Sequence, residues 1–195
     1  MSYTTAELIR LAKTGELSRF SPEELAKYLH IRDNMGMSVL DTALAHDMIA
    51  SIHPSLLTEK NLLVTGPKNW TAMHWAAQQT LLEFIPKTSL TFKTIMAADT
   101  RGWTPMHIMA THGALELVPK NILTEDNLLV EDKDQITPLA CATLHGFLDD
   151  LLGVELSEKC RDVVGNEWYE KNLKITKHKK DTLTLETDAT DIEIF

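Results

Sequence analysis

Two cysteines and eight histidines are the side chains best suited to chemistry in this chain. Cys141 and Cys160 form no Cys-x-x-Cys pair and no metal-knuckle spacing, and neither has a histidine partner at a spacing used by a known thiol catalyst. They read as free thiols of a reducing compartment. His46, Gln79, His112 and His145 follow one another at equal steps of 33 residues. Such a column meets a metal only if the side chains of neighbouring helices converge, because packed helices lie about 8–10 Å apart while a Zn–N bond is about 2 Å. Otherwise it offers a partner contact that titrates near neutrality, or plain solvated surface. No G-x-S-x-G, Walker loop, G-x-G-x-x-G or H-E-x-x-H occurs, and the acids are too scattered to pair. The expectation is a chain that is not an enzyme and uses no metal and no cofactor.

The step of 33 extends far beyond the histidines. Arg101-Gly102-Trp103-Thr104-Pro105-Met106-His107 aligns with Lys68-Asn69-Trp70-Thr71-Ala72-Met73-His74, with Asp134-Gln135-Ile136-Thr137-Pro138-Leu139-Ala140 and, more weakly, with Met35 to Asp41. Ser38, Thr71, Thr104 and Thr137 keep the step, as do Leu57-Thr58, Leu90-Thr91 and Leu123-Thr124. A hydroxyl before an apolar stretch caps a helix by accepting from a backbone N–H two or three residues on, and proline in the next position has its φ already set. Ser21-Pro22-Glu23-Glu24 is another such start, with a helix expected to about His30. A unit of this size cannot bury its own apolar face, so neighbouring units must stack.

Thr104-Pro105-Met106-His107 followed by Ala110, Gly113 and Leu115, and Thr71, Met73, His74, Ala76 and Ala77 in the preceding unit, resemble the ankyrin-repeat family over roughly residues 4–153. The resemblance implies an all-α solenoid of stacked helix pairs with β-turn or hairpin tips. It divides the chain into an N-terminal capping repeat (1–32), four repeats (33–65, 66–98, 99–131 and 132–153) and a C-terminal capping segment (154–195). It makes His74 and His107 structural histidines that bond backbone near the tips. The chain departs from the family pattern where Pro54, Pro86 and Pro119 interrupt the second helix. A short turn, a kink and a new short helix capped by Thr58, Thr91 or Thr124 are expected there.

The resemblance also places a concave face along the tips and the first helix of each unit. Its candidate partner-binding residues are Met37, Lys68, Trp70, Arg101, Trp103 and Ile136 on the tips, and His46, Gln79, His112 and His145 on the inner helices. Met37, Trp70, Trp103 and Ile136 make an apolar column at positions the family exposes, with Lys68 and Arg101 beside it. Exposed tryptophan points to a partner; the other reading is that these rings lie on neighbouring tips and hold the array together.

The net charge of -9 opposes adhesion to nucleic acid or anionic lipid, whose phosphates would repel it. No stretch reaches the roughly 20 apolar residues of a membrane helix, and no signal peptide is visible at the start. A soluble, cytoplasmic protein is expected. After Gly146 the pattern fades. A closing helix is expected from Leu156 to about Lys171, with Val163, Val164, Trp168 and Tyr169 covering the end of the stack and Gly165 weakening it. Leu173–Thr176 and Thr182–Glu186 alternate apolar and polar residues around a lysine-rich turn, which fits either a β-hairpin or a disordered tail. The acidic stretch Asp188–Phe195 comes last. Three functions remain: a non-catalytic protein-binding module, acting as adaptor or inhibitor through the concave face; an acidic decoy that inhibits a nucleic-acid-binding enzyme; and an enzyme with its site in the C-terminal segment.

Overall fold

In a computed structural model, which describes residues 3–177, most of the α-helices begin at an oxygen-bearing side chain that caps them. Thr4 starts α1 (Thr5–Thr14) in a reciprocal exchange with Glu7. Ser21 starts α2 (Pro22–Ala26) by accepting from the Glu24 N–H. Ser38, Thr71, Thr104 and Thr137 then start α3 (Val39–Ala45), α5 (Ala72–Gln78), α7 (Pro105–His112) and α9 (Pro138–His145). In α3, α5 and α7 the third residue, Asp41, His74 or His107, accepts in return from the cap backbone. Each such cap is worth about 1 kcal/mol.

Pro54, Pro86 and Pro119 break the second half of three units into short pieces. Residues Pro54–Leu56 and Lys87–Ser89 form single 3-10 turns, after which come the short helices α4 (Glu59–Leu62), α6 (Phe92–Ile95) and α8 (Glu125–Leu128). Thr58, Thr91 and Thr124 cap them as expected. The turn out of α7 passes through Gly113 at φ 66, and a Cβ there would come within 2.6 Å of the Phe147 ring. Glycine is needed at that position for both its backbone and its size.

Packing is sequential: α1 lies on α3, α3 on α5, α5 on α7, and α7 on α9. Ala43, Ala76, Ala77, Ala110 and Ala142 are fully buried, and their small side chains let successive helices approach. Leucine and methionine (Leu8, Leu11, Leu40, Leu44, Met73, Met106, Met109, Leu139) fill one continuous apolar core. The described residues are mostly helical and contain no strand, only two isolated bridges, Arg32 to Ser38 and Thr65 to Thr71. None of their helices is long and apolar enough to cross a membrane.

Two expectations change. The helix after Ser21 ends at Ala26 rather than near His30, and residues 27–30 are turns. There the bonding tightens, with Lys27 N donating to Glu24 O and Tyr28 N to Leu25 O, while Leu29 O and Ile31 O accept from Leu40 N and Val39 N of the next unit. The second change is at Leu173–Thr176, the first strand of the candidate hairpin, which is helical. α10 (Arg161–Val164) ends at Gly165, and a further helix covers 166–177. That helix buries Tyr169 and Asn172. Asn172 accepts from Gly153 N at 2.7 Å and donates to Val154 O at 2.9 Å, tying the helix to the chain that leaves the last unit. Thr182–Glu186, the rest of the lysine-rich turn and the acidic stretch Asp188–Phe195 lie outside the described residues.

Candidate binding face

Three tips are built by one aspartate each. Asp33, Asp99 and Asp132 stand at the start of a turn, and the Oδ1 of each accepts two backbone N–H groups, from Met35 and Met37, Arg101 and Trp103, or Asp134 and Ile136. The other carboxylate oxygen of the last two reaches the preceding tip. Trp70 Nε1 donates to Asp99 Oδ2 at 3.0 Å, and Trp103 Nε1 donates to Asp132 Oδ2 at 2.6 Å. Burial pushes the Asp132 carboxyl up, but the bonds from the Ile136, Asp134 and Trp103 N–H groups outweigh it and hold it below the usual range.

The histidines complete the joint. His74 Nδ1 accepts from Thr71 N at 3.1 Å, and its Nε2 lies 3.1 Å from Trp103 O. His107 does the same with Thr104 N and Ile136 O. These partners assign the proton to Nε2, which donates to the carbonyl of the next tip. Burial lowers both histidine pKa values, so the rings are neutral at neutral pH and both nitrogens are engaged. Trp70 and Trp103 stack on these imidazoles, with centroids 5.5 and 5.7 Å apart.

The apolar column is therefore less open than the sequence suggests. Met37, Trp70 and Trp103 are half-buried, and Ile136 is the exposed member at 39%. The tryptophans lie across neighbouring tips, yet they also wall two depressions. The first, about 340 Å3, gathers Met37, Lys68, Trp70 and Arg101 with Pro67, Trp75 and Asp99. The second, about 450 Å3, gathers Trp103, Ile136 and His145 with Thr111, Ala140, Cys141, Thr143, Leu144 and Val163. Most of the residues selected from sequence thus border one of two adjoining hollows.

The histidine column does not converge. His46 and His145 are exposed, and Gln79 Nε2 donates to Ala45 O. His112 pairs instead with Gln78, whose Nε2 is 3.1 Å from His112 Nε2, and places its Nδ1 2.8 Å from Ile108 O. Among the described residues no group of three or more His, Cys, Asp or Glu is placed to hold a metal ion. Cys141 and Cys160 are free and buried, and burial, with Asp132 adding a smaller push, raises the Cys141 thiol to about 11. A thiol held that high is not a nucleophile near neutrality.

Sequence reasoning missed the aspartates, although Asp99 and Asp132 keep the step of 33 and Asp33 falls in register with them; Gly66 interrupts the column. It also missed Trp75, which packs edge-on against Trp70 at 4.7 Å, while Val163, expected to cover the end of the stack, also borders the second hollow. Leu144, which the 33-residue step already places beside His145 on an inner helix, is 83% exposed at the second hollow. No family model matches the chain, and no curated protein matches it either.

Proposed function

We propose that the chain is an ankyrin-type repeat protein, a solenoid of stacked units whose work is to hold another protein on the face made by its tips and first helices. The observation that carries this reading is the pair of adjoining apolar hollows between the tip row and α5, α7 and α9, which border most of the residues singled out by the 33-residue step. Support also comes from the Thr–His–carbonyl joints, which recur one step apart and cross from unit to unit. The side chains with chemical reactivity serve structure: the buried histidines bond backbone, and the thiols are buried. A surface with an exposed leucine at one of its hollows and tryptophan in the walls of both is suited to recognition.

A photo-crosslinking residue tests this. Placed at Leu144 it should capture a discrete protein in cells, and placed at Lys60 on α4 it should not. Equal labelling from both positions would dismiss the face as the binding site.

A further inference from the structure

We infer that the segment held on this face is acidic, with an apolar side chain on each side of its acidic residues. This rests on the binding-face reading above and names the chemistry of its partner. The first hollow and the second are separated by Arg101. Arg101 lines the first. Its guanidinium carbon lies 5.9 Å from the centroid of Trp103, which lines the second. Lys68 stands exposed on the preceding tip and Lys133 on the following one. None of these three cations is in an ion pair among the described residues.

The acids nearby do not pair with them. Asp99 and Asp132 are 7% and 6% exposed, and their oxygens are already taken by backbone and indole N–H groups. Asp134 and Glu131 are exposed, and both belong to the region of the last tip. Exposed cations without an ion pair are therefore gathered at Lys68 and Arg101, where the two hollows adjoin. In a chain of net charge -9 this is a local cluster of exposed, unpaired cations. It attracts an acidic segment and repels a basic one. The guanidinium fork suits a carboxylate in particular. An apolar side chain in each hollow then brackets the acids, and Leu144 gains cover that the chain itself does not supply.

A random dodecapeptide display library, panned on the full chain, reads this directly. Enriched sequences should carry aspartate or glutamate between apolar residues. The best synthetic peptide should lose at least about tenfold in Kd on Leu144→Asp and on the double variant Lys68→Gln/Arg101→Gln, and should weaken as salt rises. All three side chains are exposed, so the fold should survive, and unchanged circular dichroism and Tm would confirm it. Enrichment of basic or uncharged peptides that still lose binding on Leu144→Asp would overturn the acidic partner and leave the binding face standing. Peptides indifferent to both variants would overturn both. Absence of enrichment over the bare support would overturn the inference about short acidic segments, leaving the crosslinking result to judge the face.

Discussion

The tip at 33–37 meets the tip at 66–70 in a different way from how the later tips meet each other. Each of the two later junctions is made by three bonds: an indole N–H to a carboxylate, an imidazole N–H to a carbonyl, and a backbone N–H to a carbonyl. The backbone bonds run from Thr100 N to Lys68 O at 3.0 Å and from Lys133 N to Arg101 O at 2.8 Å. At the first junction all three donors or acceptors are missing. Gly66 replaces the aspartate, Asp41 replaces the histidine, and Pro67 has no N–H to give. One side chain substitutes for them. Arg32 donates from Nη1 to Gly36 O and from Nη2 to Thr65 O at 2.6 Å, and sits 3.7 Å from the Asp41 carboxylate.

The replacements fit one another. A Cβ at Gly66 would lie 3.4 Å from Asp41 Oδ2, so an aspartate there would set a second carboxylate beside the buried Asp41. The comparison teaches that the spacing of the tips is maintained while the chemistry of the joint changes completely. The later joints are neutral or charge-to-dipole and lie under tryptophan. The first depends on one guanidinium with two separate carbonyls to satisfy.

The sharpest way to break this contrast is His107→Ala. It removes a fully buried ring, leaves Thr104 N without its partner, takes from Ile136 O one of its two donors (Asp132 N remains), and takes the support from under Trp103. A loss of about 3 kcal/mol in unfolding free energy is expected by denaturant titration. A loss no larger than an ordinary surface change would mean that the joint contributes little. Next comes Arg32→Lys, expected to lose about 2 kcal/mol, because one ammonium cannot span the Gly36 and Thr65 carbonyls while facing Asp41. Full retention of stability by the lysine variant would show that charge alone suffices there.

The smallest effect is in pH. His74 and His107 have pKa values lowered in the folded chain, mainly by burial, so the unfolded chain binds more protons below its ordinary histidine value of about 6.5. Their contribution is complete above that value and is lost as pH falls through it. Asp41 acts in the opposite sense. Burial raises its pKa against the bonds from Ser38, so its contribution is present at low pH and lost as pH rises through its folded value. Tm measured from about pH 7.5 to 5 should therefore decline in the wild type, and the decline should shrink in His107→Ala. The same slope in both would remove His107 from the account.

How far the sequence could be read depended on the range of each interaction. The caps at Ser38, Thr71, Thr104 and Thr137 involve residues three apart, and the same triplets recur at each step, so the amino-acid order displays them directly. The second-helix breaks are equally legible, since proline imposes them locally. Leu173–Thr176 is not, because four alternating residues fit strand or helix alike and the decision lies in the bonds of Asn172 to Gly153 and Val154. The exposure of Trp70 and Trp103 is hidden for a similar reason: their carboxylate partners lie 29 residues ahead.

The order of residues alone thus determined where helices start, where prolines stop them and that equivalent side chains recur every 33 positions. These are consequences of backbone bonding within one or two turns. Only the tertiary structure decided which side of each indole faces solvent, that Arg32 stands in for three missing bonds, and that Arg101 separates two hollows. Those outcomes depend on which distant groups meet when the units come together, and no local pattern encodes a distance across units.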